Sequence, residues 1–126
     1  MSHTSIHQRV LFSCTNPGII LRGDKMIVIE HRAGCVKIEG HAGYAPPGQD
    51  IVCAAISTLT QVFVASIEEL TTDKIKAAIS PGNAVIEYEN LTEQGTLLLD
   101  SFLLGATMIS ENHPAHVRIE REVKDE

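Results

Sequence analysis

A segment rich in glycine and proline separates two differently patterned parts of this 126-residue chain and limits how it can fold. Residues 40–50 contain three glycines and two prolines, a composition that excludes regular helix or strand and predicts a loop. Apolar and polar residues alternate before this loop, whereas a continuous helical pattern follows it. The chain must therefore join β-structure to a long helix through an irregular connection.

The other elements follow from hydrophobic periodicity and from turn residues. Ala33-Gly34 supplies a tight turn inside the first alternating stretch and predicts a β-hairpin. Asp50 is a good N-cap for the helix that follows the loop. The predicted elements are strands at 26–32 and 35–40, a helix at 51–70, strands at 74–79 and 84–89, a helix at 92–110 and a strand at 116–122. The order β-β-α-β-β-α-β predicts an α+β two-layer sandwich, with two main helices packed on one mixed sheet.

Residues 1–25 differ in pattern from the rest of the chain. They show no sustained period, whereas alternation begins sharply at Met26. We expect residues 26–126 to form a single domain, with Met26 at its start and as a candidate translational start. Residues 1–25 are then an N-terminal extension, which is either disordered or adds an edge strand from residues 9–21.

Charge and cysteine content restrict the partners and the compartment. Sixteen acidic against ten basic residues give a formal charge of −6, which argues against a nucleic-acid or anionic-membrane surface and is compatible with a basic partner. Three cysteines without a C-x-x-C pair predict no disulfide framework, and hence a reducing compartment such as the cytoplasm.

The second predicted helix resembles a membrane span, but Asp100 and Ser101 interrupt it. Its apolar stretch also falls short of the roughly 20 residues that a bilayer requires. The apolar surface of this helix is still wider than one core face needs. We therefore expect the chain to associate with a second copy of itself.

The chemistry-bearing residues cluster around the loop. If Asp50 is the N-cap, Cys53 lies in the first helical turn, where the helix dipole favours a thiolate and lowers the thiol pKa. A neighbouring imidazole, from His41, can accept the thiol proton and later return it to a leaving amine. Asp50 is a candidate to orient His41, and Ser57 lies one helical turn after Cys53 on the same face.

The loop itself supplies the candidate substrate-binding residues. Gly43 and Gly48 are predicted hinges that let it open and close over a substrate, and Gly40 and Tyr44 flank His41 in the same segment. The backbone N–H groups near Val52 and Cys53 are candidate oxyanion donors. A cysteine on an apolar helix is also commonly a small core residue. The prediction of a catalytic site therefore depends on the joint occurrence of the loop, the cap, the imidazole and the thiol.

These residues resemble the signature of a known family, the ribosomal-processing cysteine proteases (Prp family). The similarity lies in Gly40-His41-Ala42-Gly43-Tyr44, in Gly48 and in Asp50-Ile51-Val52-Cys53-Ala54-Ala55-Ile56-Ser57. It extends in element order from Met26 to about Glu122 and does not cover residues 1–25.

The resemblance implies a function, a dyad and partners. It implies a cytoplasmic, dimeric α+β protease that uses no cofactor and has a catalytic dyad of His41 and Cys53. The implied substrate is the precursor of a basic large-subunit ribosomal protein, the one whose tail approaches the peptidyl-transferase centre. The enzyme would remove a short N-terminal extension from this precursor, with no direct contact to nucleic acid or membrane.

Two alternatives remain open from the residues alone. The first is a small metal-binding module that uses the thiols and imidazoles of His31, Cys35, His41 and Cys53. A predicted hairpin disfavours it, because His31 and Cys35 flank the turn while His41 lies beyond the end of the second strand. The second is a non-enzymatic, ribosome-associated scaffold protein in which Cys53 is merely buried.

Overall fold

The computed structural model describes residues 26–43 and 50–121 and confirms the predicted order of elements. The predicted extension at 1–25 lies outside the described residues. The strands and helices, in chain order, are β1 (Ile27–Arg32), β2 (Cys35–Glu39), α1 (Ile51–Leu70), β3 (Ile75–Ser80), β4 (Asn83–Tyr88), α2 (Glu93–Asn112) and β5 (Val117–Arg121). The strand predicted at 74–79 is β3, displaced by one residue.

The five strands form one sheet in the order β3-β4-β2-β1-β5. The β1–β5 pair is parallel and the other three pairs are antiparallel, so the sheet is mixed, as predicted. Ile27 is in register with Val117, and therefore β1 and β5 begin at the same end of the sheet. The end of β2 lies at that end too, because Glu39 is in register with Val28.

The core lies between the sheet and the two helices. Apolar side chains at alternate strand positions, such as Ile29 and Val36, are fully buried there against the helices. The rings of Phe63 on α1 and Phe102 on α2 stack with their centroids 5.2 Å apart. This packing confirms the two-layer α+β sandwich.

The described cysteines are of two kinds. Cys35 is buried in β2 and is disulfide-bonded, whereas Cys53 in α1 is a free thiol. A single bonded cysteine is not the disulfide framework whose absence the cysteine spacing predicts, and it leaves the Cys53 thiol free.

One helix of the described residues, α1, is long and apolar enough to cross a membrane by length and composition. It is a helix of the domain core, because one side of it is buried along its whole length. The buried residues of α1 are Val52, Ile56, Thr60, Phe63 and Ile67. The sequence pattern suggested a membrane span for α2, whereas in the structure α1 is the helix with the required length and composition.

Candidate active site

Five segments converge at one end of the sheet and form the candidate site. They are the starts of β1, β5 and α1, the residues after β2, and the β3–β4 turn. The carbonyl oxygen of His116, directly before β5, accepts a hydrogen bond from the backbone N–H of Ile27 at the start of β1, at 2.9 Å. The parallel β1–β5 pair is what brings the start of β5 to this end.

The position of Cys53 is fixed by the helix cap. Asp50 is the N-cap of α1, and its Oδ1 accepts the backbone N–H groups of Val52 at 3.0 Å and Cys53 at 2.9 Å. This arrangement confirms the predicted cap and places Cys53 in the first helical turn. The thiol is half-buried at the edge of the core.

The residues after β2 bring the backbone against the thiol. Gly40 has a φ of 104°, a conformation that favours glycine, and its N–H donates to the carbonyl oxygen of Gly82 at 3.0 Å. Two residues further on, the N–H of Ala42 donates to Sγ of Cys53 at 3.2 Å. The side chain of Ala42 is fully buried, and so this short segment is anchored to the core beside the sulfur.

His41 lies between these anchored residues and contacts the β3–β4 turn. Its imidazole packs against Gly82, where an added Cβ would come within 2.5 Å of the ring Nε2. Gly82 has a φ of 74°, so this position combines a left-handed backbone with a close approach of the ring. Within the described residues, no hydrogen bond joins His41 to Cys53.

His41 and Cys53 line one cleft, with a volume of about 220 Å³. Its wall includes apolar side chains from the sheet and from α1, together with a few polar groups at its rim. The described lining residues are Ile27, Ile38, Gly40, His41, Cys53, Ile56, Ser57, Thr60, Gln61, Ile79, Ser80, Gly82, Asn83 and Ala84. None of these described lining residues carries a carboxylate.

The pKa of Cys53 differs from the sequence-based expectation. Partial burial raises the pKa of the thiol above its ordinary value, and the N–H of Ala42 only partly opposes this effect. The Asp50 carboxylate raises the pKa further, through its charge and through a hydrogen bond to the thiol. The expected lowered pKa is therefore wrong, because desolvation and the charge of the cap both raise it.

The expected oxyanion donors are also placed differently. The N–H groups of Val52 and Cys53 donate to Asp50, as described above, and are not directed at a substrate oxygen. The first turn of a helix leaves backbone donors without helical partners, and here the cap residue takes two of them. Ser57 lines the cleft, and its Oγ accepts a hydrogen bond from Nε2 of Gln61 at 3.2 Å.

The remaining predicted loop residues divide between the described and the undescribed parts of the chain. Gly40 and Gly43 both have positive φ angles, whereas Tyr44 and Gly48 lie outside the described residues. Among residues 26–43 and 50–121, no three His, Cys, Asp or Glu side chains are grouped as metal ligands. The β1–β2 register places Arg32 opposite Cys35 at the hairpin turn, at the far end of these strands from Gly40.

Sequence reasoning missed one residue that reaches this site. The imidazole Nδ1 of His116 lies 2.9 Å from the carbonyl oxygen of Ala42. Nothing in the sequence around His116 indicates more than a loop or surface position. His116 and Ala42 are 74 residues apart in the sequence, so no local pattern indicates this contact. It can be expected only once the parallel pairing of β1 and β5 is known.

Comparison with known proteins identifies a family and several similar structures. The family model for cysteine protease Prp matches residues 26–118. A crystal structure of SMU.848 from Streptococcus mutans is 33% identical, with a TM-score of 0.63, and the match covers 78% of this chain and 97% of that chain. No curated protein matches the sequence.

Two further crystal structures share the fold at lower identity. Both are of an essential ribosomal processing protease, Prp, from S. aureus, and each match covers 77% of this chain and 100% of that chain. The complex with a covalently linked product peptide is 24% identical, with a TM-score of 0.74. The complex with a substrate peptide is 23% identical, with a TM-score of 0.69.

Proposed function

Since the chain belongs to the Prp family of cysteine proteases, we propose that it removes a short N-terminal extension from a large-subunit ribosomal protein and uses Cys53 and His41 as its catalytic dyad. The observation that carries this proposal is that the free thiol of Cys53 and the imidazole of His41 line the same cleft. The S. aureus relatives are named ribosomal processing proteases and were crystallised with peptides. Family membership also disfavours the metal-binding and scaffold alternatives.

The proposed mechanism is nucleophilic catalysis through an acyl-enzyme. His41 accepts the thiol proton, and Sγ of Cys53 attacks the scissile carbonyl carbon to form a C–S bond. The C–N bond of the peptide then breaks, and His41 donates the proton to the leaving amine. Water hydrolyses the thioester, which releases the acid product and regenerates the thiol. The bond changes balance with peptide and water alone.

Because the pKa of Cys53 is raised, this mechanism needs a base that removes the thiol proton. Near neutral pH the thiol of the unbound enzyme is protonated. Deprotonation therefore depends on His41, whose ring packs against Gly82 and makes no hydrogen bond to the sulfur among the described residues. We propose that a peptide entering the cleft brings the imidazole into hydrogen-bond contact with the thiol.

Cleavage of a synthetic peptide tests the proposal. The peptide spans the N-terminal extension of the ribosomal protein, and mass spectrometry locates any cut. We expect one cut by the wild-type protein and none by Cys53→Ala, which keeps a small side chain at the edge of the core. His41→Gln should reduce the rate by about 10²- to 10⁴-fold, the range for losing a general acid–base group.

His31→Gln is the matched control for the histidine variant. His31 lies near the hairpin turn, and its Nε2 is 3.1 Å from the hydroxyl of Tyr88, away from the cleft. This variant should therefore cleave at the wild-type rate. Cleavage by Cys53→Ala at the wild-type rate would contradict the proposed nucleophile. A folded wild-type protein that neither cleaves the peptide nor reacts at Cys53 with iodoacetamide would contradict the protease assignment of this site.

We also propose that the enzyme is a homodimer. Three large apolar side chains on α2 are more than half exposed, namely Leu97 (68%), Leu104 (64%) and Met108 (56%). They follow each other at intervals of seven and four residues and so form one stripe along the helix. Burial of this stripe against a second copy would remove apolar area from water.

A charge placed in the stripe tests the dimer. Leu104→Glu should shift the mass measured by light scattering from dimer to monomer, whereas Thr96→Glu, an equal charge at an exposed position of α2 outside the stripe, should leave it unchanged. A monomeric wild-type protein, or a dimer that survives Leu104→Glu, would contradict this part of the proposal.

The domain boundary and the compartment complete the proposal. The family match and the alternating pattern both start at Met26, so we propose that residues 26–126 form the protease domain and that residues 1–25 precede it. A protein that starts at Met26 should fold and cleave the peptide at the full-length rate.

We propose that the protein acts in the cytoplasm, where ribosomal proteins are made.

A further inference from the structure

A second histidine reaches the candidate site through the backbone. The imidazole of His116 contacts the carbonyl oxygen of Ala42 at 2.9 Å through Nδ1. A carbonyl oxygen can only accept, and therefore Nδ1 of His116 must carry the proton in this contact. On the other side of the same residue, the Ala42 N–H donates to Sγ of Cys53 at 3.2 Å.

The backbone of His116 is itself firmly held. Its N–H donates to the carbonyl oxygen of His113 at 2.9 Å, and its own carbonyl accepts the N–H of Ile27 at 2.9 Å. The side chain is half-buried and extends from the start of β5 toward the residues after β2. The start of β5 is thus a fixed support from which the imidazole reaches Ala42.

We propose that His116 is a positioning residue, which holds the backbone of Ala42 through its carbonyl so that the N–H of the same residue points at the sulfur of Cys53 and the adjoining His41 is kept at the cleft. This inference rests on the proposed function, in which Cys53 and His41 carry out the reaction. Ala42 follows His41 directly, and a displaced Ala42 backbone would therefore move both its own N–H and His41. The same contact bears on the thiol, because the Ala42 N–H opposes the rise in the pKa of Cys53.

Three substitutions at position 116 separate hydrogen bonding from packing. His116→Phe keeps a ring but removes the donor. His116→Asn keeps an N–H donor two bonds from Cβ, where Nδ1 of the imidazole stands. His116→Gln places its donor one bond further out. His113→Phe makes the same substitution at the C-cap of α2. It is the matched control for effects of replacing a histidine with phenylalanine that do not depend on the contact with Ala42.

Two readouts are measured for each variant. The first is kcat and KM for cleavage of the extension peptide. The second is the pH profile of the rate at which iodoacetamide alkylates Cys53, with the labelled site assigned by peptide mass spectrometry. A thermal unfolding curve for each variant identifies any loss of fold.

We expect His116→Phe to lower kcat by about 10- to 100-fold, with KM changed much less, since misplacement of a catalytic group acts on the chemical step. The alkylation midpoint of Cys53 should move to higher pH in this variant, because the supporting N–H is no longer held on the sulfur. His116→Asn should restore most of both properties, and His113→Phe should match the wild type in both.

Several results would overturn the inference. One is a folded His116→Phe variant with wild-type kcat and an unshifted alkylation profile. Another is equal behaviour of His116→Asn and His116→Gln, a comparison that also decides the matter if His116→Phe fails to fold. If wild type itself leaves the peptide uncut, the proposed function fails, and the alkylation profiles still test His116 separately.

Discussion

Substitution of Asp50 separates two roles that one carboxylate could serve. Its Oδ1 caps α1 through two backbone N–H groups, at 3.0 and 2.9 Å. Its charge and its hydrogen bond to the thiol raise the pKa of Cys53. Asparagine is as good an N-cap as aspartate but carries no charge, whereas alanine provides neither cap nor charge. The two variants therefore distinguish capping from electrostatics.

The expected stability change follows from the cap. Removing an N-cap side chain costs about 1 kcal/mol, within a range of roughly 0.5–2 kcal/mol. For a chain of this size, 1 kcal/mol lowers Tm by about 4 °C. Asp50→Ala should show this loss in thermal unfolding, and Asp50→Asn should remain close to wild type. Equal losses in the two variants would contradict the assignment of the cap.

The expected change in reactivity has the same sign in both variants. Without the carboxylate, the thiolate of Cys53 is no longer disfavoured by a nearby negative charge, and the pKa of the thiol falls. The alkylation profile of Cys53 should therefore move to lower pH, more cleanly in Asp50→Asn, where the helix start is preserved. A profile that stays in place or moves to higher pH would refute the electrostatic reasoning.

Cleavage by Asp50→Asn also decides whether Asp50 is a third member of the catalytic group. We expect this variant to keep most of the wild-type kcat, since the carboxylate oxygen Oδ1 is engaged by the helix start. A large loss of kcat at unchanged Tm would instead assign Asp50 to the orientation of His41, by analogy with the third residue of serine protease triads.

Three further predictions concern the site and the fold. Gly82→Ala should lower Tm in thermal unfolding, because position 82 has a φ of 74° and an added Cβ would come within 2.5 Å of Nε2 of His41; a wild-type Tm would contradict the contact. Phe63→Ala should cost about 3–5 kcal/mol in denaturant unfolding, since it removes a buried ring from the core; a loss under 1 kcal/mol would contradict this packing. The free energy of unfolding should fall as pH rises above 9.0. The pKa values of Cys53 and Tyr88 are raised in the folded protein, so each group favours the folded state only while it is protonated. Cys53→Ala combined with Tyr88→Phe should weaken this loss of stability.

Local sequence signals were sufficient for the elements of this fold. Alternation around Ala33-Gly34 predicted the hairpin, and Asp50 before an apolar run predicted the start of α1. These features depend on residues that are close in sequence, so the sequence alone is enough to predict the hairpin and the start of the helix. The order of the strands depends on pairings across the whole chain. The parallel β1–β5 pair, which brings His116 to Ala42, has no local signal.

The chemistry of the site was harder to predict than its location. The spacing of His41 and Cys53 indicated a common site, and both side chains line one cleft. A helix dipole and a neighbouring imidazole both favour a lowered thiol pKa. Partial burial of the thiol and the charge of the cap residue have the opposite effect, and both raise the pKa. The cap that starts the helix is thus also the group that counters the dipole at Cys53.

The proposed nucleophile is held unreactive before substrate arrives. Partial burial and the Asp50 carboxylate disfavour ionisation of the Cys53 thiol more than the Ala42 N–H favours it, and the ring of His41 packs against Gly82. A neutral thiol is a poor nucleophile and is less prone to alkylation and oxidation than a thiolate. Activation then requires the imidazole to approach the sulfur, and the peptide in the cleft is the partner that can make this approach favourable. On this argument, the alkylation rate of wild-type Cys53 near neutral pH should rise when a non-cleavable substrate peptide that leaves the sulfur accessible is added, and His41→Gln should abolish that rise.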